Sequence, residues 1–317
     1  MKENQLEITI IIISHNTREL TLNCLESIYQ ETTNGIFEII LVDNGSTDNT
    51  ATIVAAEYPQ VRLFALKKNL GYGGANNFAA RYARGKYLLL LNPDTVVLDN
   101  AIEKLCEFAR QESHSGIWGG RTLYPDGSLN PTCCYGNMTP WSLFCRALGL
   151  SYLFRNTNLF NPETYGAWSY DTVRKVDIIT GCFFMIKRDL WQQLGGFDPL
   201  FYMYGEEADL CLRSKNIGVQ TMFAPDAEII HYGGMSETSQ ASRSSKVLRA
   251  KTTLIRKHWP KKYINFGLKI LVLYVASRTF VTCILSLLAP NNYRSKKENW
   301  AVLWRARKEW LPGFELK

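Results

Sequence analysis

The sequence predicts an α/β fold with a Rossmann-like, mostly parallel central sheet flanked by helices, and a hydrophobic helical segment near the C-terminal end. Three observations carry this expectation. Strand-like apolar runs alternate with helical periodicity through the first 112 residues. The runs are continuously apolar rather than alternating, which marks strands buried on both faces. Residues 264–289 form a separate, nearly unbroken apolar stretch.

The elements follow in order. Residues 8–13 are a β-branched run of strand length, and 18–30 place Leu22, Leu25, Ile28 and Tyr29 at helical spacing. Residues 37–42 read as a strand and 47–58 as a helix capped by Ser46 or Thr47, with Asp48 favoured by the helix dipole. Strands at 61–65 and 86–91 alternate with helices at 73–84 and 100–112. Residues 124–174 are rich in Pro, Asn, Tyr and Trp, with weak periodicity, and are expected to shape a substrate pocket. Residues 176–186 read as one strand, 207–214 as a helix, and 219–224 as a short strand before a loop through His231. No internal repeat is present.

Composition narrows the function. Hydrophobic residues make up 46% and charged residues 21%, which excludes disordered, collagen-like and coiled-coil chains. Lys and Arg number 36 against 29 Asp and Glu, a net charge of +7 that suits a nucleotide or an acidic membrane surface. Nucleic acid is not the expected partner, because no basic stripe interleaved with aromatics runs through the folded part. The eight cysteines are scattered without a C-x-x-C pair, so free thiols in a reducing, cytoplasmic compartment are expected. The N-terminal residues show no apolar core of a secretory signal.

The 264–289 stretch has the ~20 residues that a membrane span needs. Arg278 would sit in mid-span, at a cost of about 2.5–3.5 kcal/mol, so a tilted, re-entrant or interfacial helix is expected. A helix packed in the core or at a dimer interface is the competing reading. The tail carries Arg294, Lys296, Lys297, Arg305, Arg307 and Lys308 beside Trp300, Trp304 and Trp310, a mixture that anionic membrane interfaces attract. The expected division is a catalytic domain at 1–260 and a membrane-associated segment at 261–317. A chain ending near Pro260 is then expected to be soluble.

Parallel sheets bind ligands beyond the carboxyl ends of their strands. Those ends carry Ser14-His15-Asn16, then Asp43-Asn44-Gly45-Ser46-Thr47-Asp48, then Asn92-Pro93-Asp94. Asp43 lies past a buried strand and is free to bind a base or sugar. Gly71, Gly73 and Gly74 allow close backbone approach to a phosphate or ribose, but Asn76 stands where a dinucleotide fingerprint needs its third glycine. Glu206, Glu207 and Asp209 cluster among aromatic residues, where a raised pKa suits a general base. A neutral imidazole at His231 is a competent metal ligand.

These motifs, in this order over residues 8–232, resemble an inverting nucleotide-sugar glycosyltransferase of family 2 with the GT-A fold. The pattern is Ser-His-Asn, Val-Asp-Asn-Gly-Ser-Thr-Asp, Asn-Leu-Gly-Tyr-Gly-Gly-Ala-Asn-Asn, Leu-Asn-Pro-Asp, Gly-Gly-Phe-Asp, Gly-Glu-Glu-Ala-Asp-Leu-Cys-Leu-Arg and a late His. Leu-Asn-Pro-Asp-Thr with Tyr-Gly-Glu-Glu-x-Asp-Leu is most similar to rhamnosyltransferase-like members that build cell-surface polysaccharide.

The resemblance implies roles. Asp43 binds the nucleotide base, within a donor-binding set of Ser14, Asn16, Asp43, Asn69, Gly71, Asn76 and Asn92. Asn92 and Asp94 occupy the metal motif usually written D-x-D, so Asp94 carries the cation, Mg²⁺ or Mn²⁺, with His231. Glu207 matches the base, with Glu206 and Asp209 as alternatives, and Arg213 holds the cluster. The implied donor is a dTDP- or UDP-sugar, and the acceptor a glycan or lipid-linked hydroxyl at the inner face of the cell membrane. Self-association of the chain stays open. A non-catalytic relative that binds a nucleotide sugar or scaffolds a polysaccharide assembly complex is the alternative that Asn92 and Glu207 favour. A nucleotidyltransferase would want a basic glycine loop where Ser14-His15-Asn16-Thr17 stands.

Overall fold

Isoleucine at five of seven consecutive positions gives the chain its central strand, β1 (Ile8–Ser14), and the other elements assemble around it. In the computed structural model, residues 6–33, 37–166, 168–233 and 240–315 are described. After β1 come α1 (Arg18–Glu31), β2 (Phe37–Asp43), α2 (Thr50–Glu57), β3 (Arg62–Ala65), α3 (Gly71–Ala80) and β4 (Tyr87–Leu91). Then follow β5 (Thr95–Val97), α4 (Ala101–Gln111), β6 (Ser115–Leu123), β7 (Cys134–Tyr135), α5 (Pro140–Ala147) and α6 (Leu150–Leu153). Next are β8 (Arg174–Val176), β9 (Ile178–Ile179), β10 (Phe183–Lys187), α7 (Arg188–Leu194), α8 (Glu206–Asn216) and β11 (Gln220–His231). The chain ends in α9 (Gln240–His258), α10 (Lys261–Leu288), α11 (Pro290–Arg305) and α12 (Arg307–Trp310). Two compact units result, one of residues 1–135, 169–202 and 206–236, the other of 136–168, 203–205 and 237–317.

The first unit holds a nine-stranded sheet in the order β3-β2-β1-β4-β10-β6-β11-β5, with β8 also on β11, and a two-stranded ribbon of β7 and β9. β3, β2, β1 and β4 run parallel, and β10 enters antiparallel between β4 and β6. Ile8, Ile10, Ile12, Ile39, Leu41 and Leu89 pack with Leu25, Val54, Ile102 and Leu105 from α1, α2 and α4. The alternate residues Ile11, Ile40, Leu88 and Leu90 are buried as well, so the strands read as continuous apolar runs. Each such side chain contributes about 1.5–3 kcal/mol on burial.

At the amino end of the strands, Glu38 ties three segments together. It accepts from Thr9 Oγ1 at 2.8 Å, Arg62 Nη1 at 2.7 Å and the Arg84 amide at 2.7 Å. Burial pushes the Glu38 pKa up, but these donors outweigh it and hold the carboxyl below its ordinary value.

Three local expectations are corrected and one strand is added. The 176–186 run is not one strand: it breaks into β8, β9 and β10. β6 falls where the sequence assigned no element, and it carries Gly116, Gly119 and Gly120. The glycine at 120 is required, since a Cβ there would strike the Ala227 carbonyl and the Phe183 ring. β11 continues to His231 rather than ending at 224, and Pro225, Asp226 and Ala227 are accommodated between the pairs Ala224–Gly120 and Glu228–Arg121. Finally, α2 starts at Thr50 behind Asn49, not behind Ser46 or Thr47. Asp48 Oδ1 accepts from the Thr50 amide at 3.2 Å instead.

The second unit gathers Met138, Leu143, Ala147, Leu248, Ile255, Leu268, Leu271, Val275, Leu303 and Trp310 into its own core. Trp259 Nε1 donates to the Met138 carbonyl at 3.0 Å and Trp310 Nε1 to that of Leu303 at 2.9 Å. α10, α11 and α12 therefore share a core with α5 and α9. Arg146 pairs with Glu163 at 2.6 Å. Ser277 Oγ and Arg278 Nη2 each donate at 2.7 Å to the carbonyls of Ala147 and Arg146, at the end of α5. All eight cysteines are free thiols, seven of them buried.

Candidate active site

The carboxyl ends of β2, β1 and β4 lie side by side, as parallel pairing of these apolar strands demands. Ser14 stands beside Asp43 in register. The Ser14 hydroxyl is fully buried and shared with Thr17 at 3.1 Å and Thr21 at 2.9 Å, so it secures the turn into α1. Asn16 adopts a left-handed φ of 53°. Its Oδ1 accepts from the Thr47 amide at 2.8 Å and its own amide donates to Ser46 Oγ at 3.0 Å, which laces the first two loops together. Asp43 accepts from the Ser46 amide at 2.9 Å, three residues on, and this bond orients its carboxylate.

The glycine loop is organised by Asn44, which the sequence reading passed over although it follows Asp43 directly. Its Oδ1 accepts from the Leu70 amide at 2.8 Å, and its Nδ2 donates to Asn69 Oδ1 at 3.0 Å. Asn69 Oδ1 also accepts from the Gly71 amide at 2.8 Å. Gly71 has φ +74°, and a Cβ there would lie 2.5 Å from the Tyr202 carbonyl, so only glycine fits. Asn76 is fully buried inside α3, with Nδ2 on the Tyr72 carbonyl at 3.0 Å and Oδ1 without a hydrogen-bond partner.

The antiparallel pairing of β5 with β11 sets His231 opposite Thr95, next to Asp94. His231 Nε2 is 3.4 Å from Asp94 Oδ1 and 3.4 Å from the Asn92 amide nitrogen. Burial disfavours the imidazolium, but Cys182 and Asp94 outweigh it and raise the His231 pKa to about 10. Nδ1 of the ring is buried without a hydrogen-bond partner. Among the described residues no group of three or more His, Cys, Asp or Glu is placed to hold a metal. The ring nitrogen that faces Asp94 is Nε2, 3.4 Å from Asp94 Oδ1, a spacing that suits two ligands of one ion, so this pair would fit a Mg²⁺ or Mn²⁺ ion that displaces the ring proton, with phosphate oxygens and water completing the shell.

The three acids at the start of α8 differ in surroundings. Asp209 is fully buried and bound to Arg213 Nε at 2.7 Å, and the same guanidinium donates to the carbonyls of Leu194 and Gly196. Glu206 is buried with Oε2 lacking a hydrogen-bond partner. Burial, then the adjacent Glu207, push its pKa well above the usual carboxylate range. Glu207 is only half-buried, and its Oε1 accepts from the Tyr135 hydroxyl at 3.2 Å. Tyr135, from the β7–β9 ribbon, is a residue that the sequence reading missed. It lies far from the motifs in a stretch without periodicity, so no sequence signal marked it. Tyr72 links the two halves of the site. It hydrogen-bonds the Gly181 carbonyl at 2.8 Å and lies within electrostatic reach of Glu206, Glu207 and Cys182.

Comparison with known proteins agrees with this geometry. Residues 9–195 match the family described as Glycosyl transferase family 2. An N-acetylglucosaminyl-diphospho-decaprenol L-rhamnosyltransferase of Mycobacterium tuberculosis is 29% identical over 230 residues, 68% of this chain and 73% of that protein. The O-antigen biosynthesis protein RfbC of Myxococcus xanthus is 25% identical over 238 residues, 74% of this chain but 18% of that protein. Among solved structures, the mannosyltransferase PcManGT of Pyrobaculum calidifontis superposes with a TM-score of 0.59 at 17% identity, covering 97% of this chain and 88% of that one. GalNAc-T7 gives 0.58 at 17% identity, covering 82% of this chain and about half, 49%, of that one. The sheet is thus that of a GT-A enzyme, and the chain belongs to glycosyl transferase family 2 as a glycosyltransferase.

Proposed function

We propose that the protein moves a sugar from a nucleotide-sugar donor to a hydroxyl of a glycan or lipid-linked acceptor, with inversion and with Glu207 as the base. The observation that carries this is the difference within the acid cluster. Asp209 is spent on Arg213 and Glu206 is buried, which leaves the half-buried Glu207, held by Tyr135, to meet an acceptor. Glu207 takes the acceptor proton as the hydroxyl oxygen attacks the anomeric carbon from the face opposite the leaving group. Asp43 receives the base, and the Asn69–Gly71 loop brings backbone amides to the donor. Asp94 and His231 would hold a divalent cation. Such an ion, when bound, neutralises charge on the departing nucleoside diphosphate.

The neighbours support the reading by analogy. GalNAc-T7 was solved with UDP, GalNAc and Mn²⁺, and PcManGT with GDP-Man and Mn²⁺. The Mycobacterium relative is named for L-rhamnosyl transfer to a lipid-linked sugar, which favours a dTDP- or UDP-linked donor, rhamnose as the sugar and polysaccharide assembly at the cytoplasmic membrane face. Residues 261–317 would hold the enzyme there.

A donor screen by thermal unfolding tests the proposal. In the presence of Mn²⁺, one nucleotide-sugar is expected to stabilise the chain, by about 2.7 kcal/mol at a hundredfold excess over Kd. The effect should vanish in Asp94→Ala and persist in Glu207→Gln, which should lose turnover. Folded protein that no donor stabilises would favour a non-catalytic scaffold, and stabilisation without turnover a non-catalytic nucleotide-sugar binder.

A further inference from the structure

The second unit leaves a large apolar surface uncovered. On α10, Phe266, Leu273, Phe280 and Leu287 recur at seven-residue steps and are all exposed, the last two at 67% and 79%. Seven residues make nearly two helical turns, so the four share one side, a stripe about 30 Å long. Leu268, Leu271 and Val275 take the other side into the core. A second apolar group stands on α6 and the turns after it: Tyr152 is 78% exposed, Leu153 69% and Leu159 62%. The two groups adjoin, because Ser277 and Arg278 are bonded to the last carbonyls of α5, immediately before α6. Trp141 Nε1 donates to the Leu159 carbonyl at 2.6 Å, and its ring stacks on Phe144, so the second group is held in place rather than collapsed.

Charge indicates the partner. Residues 240–317 hold seventeen Lys and Arg against three Glu, whereas residues 1–239 hold nineteen against twenty-six Asp and Glu. All of the chain's positive excess therefore accompanies the apolar surface. Soluble proteins rarely leave contiguous apolar patches beyond a few hundred Å², and apolar residues flanked by Lys, Arg and Trp suit an anionic bilayer. Arg278 fits the same picture. Its guanidinium rests on the Arg146 carbonyl and on the Tyr274 ring, 5.5 Å away, so its charge is met by protein groups on the side of α10 that packs on α5.

We propose that α6 with the following turns and the outer stripe of α10 form one two-part docking surface for an anionic phospholipid bilayer, with α10 lying in the plane of the interface. This rests on the membrane reading above, adds the second segment, and selects the in-plane orientation from those the sequence left open.

The full-length protein is sedimented with vesicles of phosphatidylcholine alone and of phosphatidylcholine with phosphatidylglycerol. Binding is expected to the anionic vesicles, about tenfold weaker to the neutral ones, and reversed by alkaline carbonate. Two double variants, Tyr152→Ser with Leu153→Ser and Phe280→Ser with Leu287→Ser, should each lose most binding with an unchanged unfolding midpoint, since all four side chains are exposed. If only the α10 variant loses binding, the two-part surface is overturned and the membrane reading stands. If the wild-type protein binds neither vesicle, both fall. Retention after carbonate would overturn the in-plane orientation. A wild-type dimer that both variants dissociate would give the face to a second copy of the chain instead.

Discussion

Tyr135 donates its hydroxyl hydrogen to Glu207 at 3.2 Å, and a hydrogen bond to a carboxylate favours its charged form. Removing the hydroxyl in Tyr135→Phe should raise the base's pKa. The acidic limb of the pH–turnover profile is then expected to move to higher pH, with donor KM unchanged. A limb that stays in place would leave Tyr135 a packing residue only. Glu206 makes the complementary case. Burial and the neighbouring Glu207 keep its carboxyl protonated far above the usual range, so Glu206→Gln changes shape and charge little. Near-normal turnover is expected for Glu206→Gln and its loss for Glu207→Gln, measured side by side. The reverse order would move the base to Glu206. The sequence brought three acids to one helix start but could not separate them. The separation comes from Arg213 and Tyr135, whose reach depends on how distant segments pack.

Among the elements, Glu38 shows how β1, β2 and β3 are locked at their amino ends. Its folded pKa is depressed, so the unfolded chain binds more protons. The stabilisation is present above the unfolded value near 4.3 and is lost as pH falls through the folded pKa. Glu38→Gln should cost about 1.5–3 kcal/mol at neutral pH, and its thermal midpoint should converge with that of the wild type in acid. A constant gap across pH would mean that shape, not charge, is what Gln disturbs. The parallel half of the sheet was legible because strands covered on both faces leave an unmistakable apolar run. The antiparallel half was legible only in part, since 176–186 read as one strand and 219–224 as a short one. β6 carries three glycines and was assigned no element, β8 and β9 have three and two residues and do not separate from β10 by pattern, and Pro225 hid the continuation of β11, which tertiary pairing supplies.

At the scale of the whole molecule, a chain ending after Pro260 was expected to be soluble. The structure predicts otherwise, because Leu143, Leu248 and Ile255 would lose Leu268, Leu271, Val275, Leu303 and Trp310 as packing partners. Truncation there should yield aggregated or protease-sensitive protein, as read by size-exclusion chromatography and limited proteolysis. A monodisperse product would show that residues 1–260 fold alone. Sequence patterning revealed that 264–289 is apolar. It could not reveal that one side of the helix packs on a segment more than a hundred residues earlier, since no periodicity encodes its partner.

The interruption in β11 has a consequence for which way the end of this strand faces. Successive strand residues face opposite ways, and Pro225–Asp226–Ala227 lies between Gly120's partner and the stretch that ends at His231. Gly120 and Arg121 are neighbours and face opposite ways, so their partners Ala224 and Glu228 do too, although four residues apart they would share a face in an unbroken strand. The interruption therefore reverses the facing of the last stretch of β11, and it is this reversal, together with the pairing of His231 with Thr95, that turns the imidazole toward Asp94.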